Sequence, residues 1–251
     1  LCMERNGLDD RSRERRIGMW VCGVSMFFVI SFFLVPYMLP ESSVPKLSGR
    51  ANVIDYSSSE SWGNQLHNGE MGHDQPSEGV FAWSELDPYS AFIYAFGDLN
   101  CHQKHERSWV VNGNQMPVCT RDVGIFLGLA LGGFIYSRKG LNRWTVRDSM
   151  LSIFSDNQLE YVYRNDLRTK AVLLLVAVTI IPIGIDGFAQ MLTSYESTNL
   201  KRIITGLPFG VLVSLYLSAS FSARPAFFGG DGSKVVLPSN ARFSNPEVEQ
   251  E

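Results

Sequence analysis

The segment 101–132 concentrates the side chains that are best able to do chemistry. Its first part combines Cys101, His102, Cys119 and Asp122 with arginines, and its last part runs into an apolar stretch interrupted by glycines. Polar groups at the mouth of a membrane span are costly to bury and are usually retained for a functional reason. We therefore expect the functional site of this protein where that apolar stretch begins.

The spacing of Cys101 and Cys119 allows three interpretations. They could close a small disulfide loop in an oxidising compartment, or they could remain two ordinary thiols. They could also bind a metal together with His102 and Asp122, since these four residues offer the S, N, S and O ligands that zinc accepts. Cys119 and Asp122 lie about one helical turn apart, which fits joint ligation, and the spacing alone leaves all three interpretations open.

The composition excludes a nucleic-acid-binding protein and favours a membrane protein. The 251 residues carry a net charge of −3, so no overall basic field is available to attract a nucleic-acid backbone. Charged residues make up only 19% of the chain and hydrophobic residues 45%, and the apolar residues form blocks between polar segments. The lipid bilayer is therefore the expected partner.

Four apolar blocks predict an all-α integral membrane protein with about four transmembrane helices. The first block, at 17–39, carries no charge and is long enough to cross a bilayer core of roughly 30 Å. We interpret it as a retained anchor rather than a cleaved signal peptide, because the run is long and no typical cleavage site follows it. The other predicted spans are 123–137, 171–192 and 203–221.

Polar segments flank and separate these spans. We expect a basic N-terminal tail at 1–16, a long and partly disordered extracytoplasmic loop at 40–88, and a disordered tail at 222–251. The aromatic run 89–97 is too short to span and favours a helix that lies in the membrane interface. It begins a predicted membrane domain that covers 89–221.

Basic residues near the span ends predict the orientation. The N-terminal tail contains five arginines and the segment 138–170 contains seven lysines and arginines, whereas 40–121 has five over a much longer length. Under the positive-inside rule the two dense basic segments are cytoplasmic. We therefore predict a multi-pass protein of the cell membrane with a cytoplasmic N-terminus, and with 40–121 and 193–201 outside.

Glycines spaced four residues apart predict a close helix contact. Gly124, Gly128 and Gly132 share one face of the second predicted span and permit another helix to approach closely. This face could support a homo-oligomer or a contact with other membrane subunits.

A second polar group follows near the outer end of the third predicted span. Its members are Asp186, Gln190, Ser197, Asn199 and Arg202. This topology brings them to the same membrane side as the first group, so both groups face one site if the last three spans pack together. Asp186 follows a long apolar run and requires a partner such as Arg121 or Arg202. Simpler explanations are helix capping by Ser197, Thr198 and Asn199, an interfacial anchor at Arg202, and a structural Asp–Arg pair.

Two motifs occur in order along the chain and resemble those of a known family. The first is Cys-His-Gln at 101–103 with Glu-Arg-Ser at 106–108, followed by Gln-Met-Pro-Val-Cys-Thr-Arg-Asp-Val-Gly-Ile at 115–125. The second is Ile-Asp-Gly-Phe-Ala-Gln at 185–190 with Ser-Thr-Asn-Leu-Lys-Arg-Ile-Ile-Thr-Gly at 197–206. Together they resemble the DUF2085 family of predicted archaeal and bacterial membrane proteins over about 89–221. That family is a domain of unknown function, so the resemblance implies no activity.

One departure from the family pattern bears on the two cysteines. Many relatives in this family have a third cysteine at the position of Asp122. An aspartate cannot form a disulfide but can replace cysteine as a metal ligand, so the resemblance favours a metal site, with zinc as the expected ion. His105 stands where relatives have proline, which argues against it as a ligand.

Two functions are compatible with these residues. In the first, the four predicted ligands hold a zinc-like ion at the outer membrane face and Asp186 supplies a base or further ligand, with Gln190 beside it as a further site residue. Arg121 and Arg202 clamp a lipid-linked anionic substrate during hydrolysis or transfer. In the second, the protein is a non-enzymatic scaffold or complex subunit whose polar cluster is a disulfide or metal staple. Thiol redox exchange ranks last because no CxxC pair is present.

Overall fold

The computed structural model describes residues 11–49, 52–66 and 74–243, and it is mostly helical. The described residues do not include Cys2 and Arg5 of the N-terminal tail, His67 and His73, or the end of the C-terminal tail. The helices are α1 (Ser12–Met38), α2 (Gln75–Glu78), α3 (Pro88–Asn100), α4 (Thr120–Lys139), α5 (Val146–Leu151), α6 (Asp156–Arg164), α7 (Arg168–Leu192) and α8 (Asn199–Ser222). A short antiparallel hairpin joins β1 (Val110–Val111) to β2 (Asn114–Gln115).

Three helices in the described part of the chain are long and apolar enough to cross a membrane: α1, α7 and α8. They account for three of the four predicted spans. The remaining prediction, 123–137, is helical within α4, but α4 does not belong to this set. The hydropathy of α4 is lowered by its glycines and by the charged residues at its ends, which are Arg121, Asp122, Arg138 and Lys139.

The chain forms two compact units. The first unit contains the residues up to Ser25, Gly128–Phe188 and the residues from Pro208 onward. The second unit contains Met26–Leu127 and Ala189–Leu207. Each of the four long helices therefore contributes residues to both units.

The first unit is held together by tight contacts between α4 and α8. A Cβ at Gly132 would lie 2.8 Å from the Val211 carbonyl oxygen, so only glycine permits this approach. The Ser214 hydroxyl donates a hydrogen bond to the Leu129 carbonyl oxygen at 2.7 Å in the same contact. The predicted glycine face is therefore covered within one chain at this position, and the homo-oligomer through it remains a prediction.

The described part of the C-terminal segment, residues 223–243, contains short 3₁₀ turns where the sequence predicted a disordered tail at 222–251. Phe228, Val235 and Leu237 are buried against Leu159 and Tyr163 of α6. The hydrophobic effect explains the difference, because α6 has an apolar face that these three side chains remove from water.

In the second unit, the described residues of the predicted polar loop at 40–88 contribute to a buried core, and the partial disorder of this loop remains a prediction. In its described residues Val44, Leu47 and Tyr56 are fully buried and pack with Ile93 and Tyr94 of α3. Helix α3 thus has one face that is fully buried in this core. A helix lying free in the membrane interface would have no face buried against the rest of the protein. The aromatic residues of 89–97 were predicted correctly as helical, and tertiary packing determines what they contact.

Side-chain amides replace regular secondary structure in this segment. The Asn114 Oδ1 atom accepts from the Val44 N–H at 2.8 Å, and the Gln115 Oε1 atom accepts from the Leu47 N–H at 2.8 Å. The Gln75 Oε1 atom accepts from the Ser48 N–H at 2.9 Å. Buried backbone groups must find partners, and here they find them in side chains that are distant in sequence. Such contacts leave no periodic signal, which explains why the sequence predicted disorder.

Candidate metal centre

The end of α3 and the start of α4 position the two cysteines. Cys101 caps α3, and its N–H donates to the Gly97 carbonyl oxygen at 2.8 Å. A Cβ at Gly97 would lie 1.8 Å from the Pro117 carbonyl oxygen, so the glycine lets the segment before α4 press against α3. Cys119 immediately precedes α4, and Asp122 lies in its first turn. A tight backbone contact therefore brings two sequence-distant thiols together.

Cys101, Cys119 and Asp122 form a compact group of possible metal ligands. Their ligand atoms all lie within 4.8 Å of one another. The Cys119 N–H donates to the Cys101 Sγ atom at 3.1 Å, and the Cys119 thiol donates to the Asp122 Oδ2 atom at 3.2 Å. Both cysteines are free thiols. Among the described residues this is the group that has the ligand types and the spacing for a metal ion.

The environment of Cys101 favours the protonated thiol when no cation is bound. Hydrogen bonding with Cys119 and burial of the side chain raise its pKa, and the nearby carboxylate of Asp122 adds to this effect. Neighbouring anionic groups that disfavour a second anion are the same groups that attract a cation. The site is therefore electrostatically suited to a positive ion.

The predicted histidine ligand, His102, lies outside this group. His102 is exposed and does not belong to the ligand cluster formed by the described residues. The Nδ1 atom of His105 lies 3.2 Å from the Gln115 Oε1 atom, so this ring makes a contact that supports the fold. The structure therefore brings together the S, S and O atoms of the predicted four-ligand set but not the N atom.

Arg202 is fully buried in the second unit, at 2% exposure, so it is not an interfacial anchor. Its Nε donates to the Ser197 carbonyl oxygen at 3.1 Å, and its Nη2 lies 3.4 Å from the Glu196 Oε2 atom. The same Nη2 donates to Gln190 Oε1. Two of the predicted site residues, Gln190 and Arg202, are therefore in direct contact.

Sequence reasoning assigned no role to Glu196, which links the two predicted polar groups. Lys104 and Arg107 reach it from the segment before the hairpin, at 3.5 Å and 3.2 Å. Arg202 reaches it from α8. Partial burial tends to raise the pKa of Glu196, but the hydrogen bond and charge of Arg107, together with Lys104, outweigh this effect and lower it. In the sequence, these ion pairs of Glu196 were indicated only by the Glu-Arg-Ser motif at 106–108, which contains Arg107.

The start of α8 is also joined to the start of α4. The Thr120 hydroxyl donates to the Asn199 Oδ1 atom at 3.1 Å, and a Cβ at Gly124 would lie 2.8 Å from the Ile203 carbonyl oxygen. Arg107 and Arg121 lie within electrostatic range of Arg202, as does Cys119. Within the second unit, the arginines therefore adjoin the cysteine cluster.

Of the predicted cap residues, Thr198 is the one whose hydroxyl accepts from the Lys201 N–H, at 3.4 Å.

Asp186 belongs to the first unit. It is buried in α7, with a relative exposure of 8%. Burial of a carboxylate within an apolar helix agrees with the expectation that it has a partner. Its assignment as a base or as a partner of an arginine remains a prediction.

Comparison with known sequences places this site in a family context. Residues 101–216 match the family described as "Predicted membrane protein (DUF2085)". A protein of Methanothermobacter thermautotrophicus is 33% identical over 111 residues, which cover 44% of this chain and 78% of the relative. The chain belongs to the DUF2085 family. The resemblance inferred from the two motifs is therefore confirmed, and the matched residues include the whole cysteine cluster and Arg202.

A second relative of this DUF2085 member comes from Methanocaldococcus jannaschii. It is 29% identical over 133 residues, covering 53% of this chain and 70% of the relative. Both relatives carry the description "uncharacterized protein". No solved structure matches the chain. Membership of the family, together with three apolar helices of spanning length, makes this a predicted membrane protein.

Proposed function

We propose that this DUF2085 member binds a zinc-like ion at Cys101, Cys119 and Asp122 and uses it in hydrolysis or transfer on a lipid-linked anionic substrate. The observation that carries the proposal is the convergence of three ligand atoms within 4.8 Å of one another. Two thiolates and one carboxylate are an acceptable set for zinc, which takes S and O ligands in tetrahedral sites.

The number of ligands favours a reactive site over a closed structural one. Structural zinc sites are closed by four protein ligands, whereas catalytic sites use three and leave one position for water or substrate. Because His102 is exposed and outside the cluster, the described residues offer three ligands. An open position on zinc can polarise a phosphoryl or carbonyl oxygen or activate water.

The basic surroundings support an anionic substrate. Lys104, Arg107 and Arg202 all share the carboxylate of Glu196, so three cations face one anion in these ion pairs. Glu196 is half-exposed, so an incoming phosphate or carboxylate can compete with it for these cations. Arg202 lies on a helix of spanning length, which favours a substrate whose apolar part stays in the bilayer.

Metal content tests the first half of the proposal. The full chain, purified in mild detergent, is expected to retain about one zinc-like ion by elemental mass spectrometry. Cys119→Ser and Asp122→Ala should lose it, whereas Cys22→Ser, which changes a free thiol in α1, should retain it. A protein without metal in which both site thiols are oxidised would contradict the proposal and favour a disulfide staple.

Turnover tests the second half. Farnesyl diphosphate in mixed micelles is a suitable probe, because it joins an apolar chain to a charged head group. Phosphate release should require the ion and fall about tenfold or more in Arg107→Gln, but not in Arg164→Gln, whose partner is Glu160 on the exposed side of α6. Equal rates with and without metal would contradict metal assistance.

The alternative is a structural metal staple in a non-enzymatic scaffold. The observation that favours it is position: Cys101 ends α3 and Asp122 begins α4, so an ion bound to both would tie two helices together. In that case metal removal lowers the unfolding temperature strongly, and no variant of Arg107 changes any turnover. The two experiments together therefore separate the enzyme from the scaffold.

A further inference from the structure

The two cysteines of the metal centre form a dithiol that their sequence spacing does not indicate. Cys101 and Cys119 lie 18 positions apart, yet both are free thiols whose sulfur atoms lie within 4.8 Å of each other. The absence of a CxxC pair ranked thiol exchange last among the predicted functions. Exchange requires sulfurs that are close in space, however, and not residues that are close along the chain. The fold therefore permits a chemistry that the spacing argued against.

The two thiols differ in accessibility, and this difference assigns them different roles. Cys101 is 3% exposed, whereas Cys119 is partly exposed just before α4. Thiol–disulfide exchange begins on a sulfur that the oxidant can reach. The charge of Arg202 acts on Cys119, which favours negative charge developing on that sulfur during attack. Cys119 is therefore the attacking thiol, and buried Cys101 is the thiol that resolves the mixed disulfide.

The backbone around the pair is held by contacts that do not depend on a bond between the sulfurs. The Cys101 N–H donates to the Gly97 carbonyl oxygen at 2.8 Å, and the Cys119 carbonyl oxygen accepts from the Val123 N–H at 3.2 Å. The Cys119 N–H also contacts the Cys101 Sγ atom, at 3.1 Å. Formation of a disulfide therefore needs rotation of the side chains and no rearrangement of α3 or α4.

We propose that Cys101 and Cys119 are a reversible redox switch of the metal centre, with a small-molecule disulfide as the oxidant. The Cys119 sulfur attacks one sulfur of the oxidant, the S–S bond of the oxidant breaks, and the departing thiolate takes up the Cys119 proton. The Cys101 sulfur then attacks the Cys119 sulfur, and the second half of the oxidant leaves with the Cys101 proton. One disulfide is thus formed in the protein, and one is reduced to two small thiols.

The new disulfide removes both sulfur ligands from the centre. Thiolates are the sulfur ligands of zinc, and Asp122 alone is too small a ligand set to retain a zinc-like ion. Oxidation therefore releases the ion, and reduction restores the site. This release rests on the proposed function, whereas formation of the disulfide needs only the two thiols. The predicted extracytoplasmic position of the site provides the oxidising surroundings in which disulfides form.

Exchange with oxidised glutathione tests the switch on the full chain in mild detergent. The parent for this test carries Cys2→Ser and Cys22→Ser, so that only the site pair can react, and it is first reduced and loaded with zinc. Mass spectrometry without reductant should find a bond between Cys101 and Cys119, and dithiothreitol should reopen it. A persistent glutathione adduct in place of this bond, or a bond that dithiothreitol does not reopen, would overturn the switch.

Single variants in the same background test the two roles. Cys101→Ser should keep one glutathione on Cys119, because no second sulfur is present to displace it. Cys119→Ser should react about tenfold more slowly than Cys101→Ser, because its remaining thiol is buried. Equal rates for the two variants would show that access does not assign the roles, and the proposed order of attack would be wrong.

Zinc measured in the same samples separates the switch from the proposed function. A chromogenic chelator should detect about one ion released for each disulfide formed. Zinc that stays on the oxidised chain would overturn the switch. A reversible disulfide on a reduced chain that never held zinc would overturn the proposed function together with ion release, and it would uphold the exchange chemistry of the pair.

Discussion

At the scale of single residues, Asp98 explains how a segment without periodic sequence becomes ordered. Its carboxylate accepts from the Tyr56 N–H at 2.8 Å, from the Asp55 N–H at 3.1 Å and from the Trp83 indole N–H at 3.0 Å. Asp98 itself is buried on α3. One side chain therefore satisfies donors from two distant parts of the segment 40–88, which would otherwise be buried without partners.

Asp98→Asn should destabilise the protein by about 2–4 kcal/mol, because it leaves buried donors without an anionic acceptor. The thermal unfolding midpoint in detergent measures the change. Asp87→Ala is the matched control: Asp87 is an exposed cap of the same helix, and its loss should cost only about 1 kcal/mol. Equal shifts for the two variants would contradict the structural role of Asp98.

Glu196 makes the stability of the second unit depend on pH. Its pKa is lowered in the folded protein by Arg107 and Lys104 against the opposing effect of partial burial. A carboxylate whose folded pKa is below its unfolded pKa stabilises the fold above the unfolded value. That stabilisation disappears as the pH falls through the folded value.

Glu196→Gln should therefore be less stable than the natural protein near neutral pH, by roughly 0.2–1 kcal/mol, as for a largely exposed ion pair. The difference should vanish below the folded pKa of Glu196. Unfolding midpoints measured from pH 7 to pH 3 provide the comparison. A difference that is independent of pH would show that the effect does not come from the charge.

At the scale of elements, the contact between α3 and the segment before α4 determines the geometry of the metal centre. Gly97 permits the Pro117 carbonyl oxygen to approach, and this approach places Cys119 next to Cys101. Several glycines, among them those at 97, 124, 132 and 206, each have a backbone atom of another segment within 2.8 Å of a hypothetical Cβ. Helix positions in this protein are thus set largely by backbone-to-backbone proximity.

Gly97→Ala should force α3 away from Pro117 and thereby lower both the unfolding temperature and the metal content. Gly23→Ala is the matched control, because nothing lies within 4 Å of a Cβ there. Alanine is the better helix former by about 1 kcal/mol, so the control should be neutral or slightly stabilising. Retention of full metal content in Gly97→Ala would contradict the role of this contact.

At the scale of the whole molecule, the prediction of four spans, in which α4 crosses the membrane as well as α1, α7 and α8, and the distribution of basic residues make the orientation testable. The predicted arrangement places the α6–α7 turn in the cytoplasm and the α7–α8 loop outside. Asn165 and Ser194 are exposed residues of these two segments. They report on opposite sides of the bilayer if α7 spans it.

In intact cells, a membrane-impermeant maleimide should label Ser194→Cys but not Asn165→Cys. Both variants should be labelled after the membrane is permeabilised, and the parent chain corrects for its own thiols. Labelling of Asn165→Cys alone in intact cells would reverse the predicted orientation, and labelling of both would show that α7 does not separate the two sides.

The sequence by itself determined those features that depend on local pattern. Hydropathy located α1, α7 and α8, and the two motifs identified the family. Helical spacing predicted the close approach at Gly124 and Gly132. These properties follow from residues within a few turns of one another, so periodicity and composition are sufficient to find them.

Only the tertiary structure decided which distant residues meet. It brought together Cys101, Cys119 and Asp122 without His102, and it packed the described residues of 40–88 through Asp98 and distant amide side chains. Each of these outcomes depends on contacts between residues far apart in the chain, and a hydrogen bond between such residues has no period that a sequence can display.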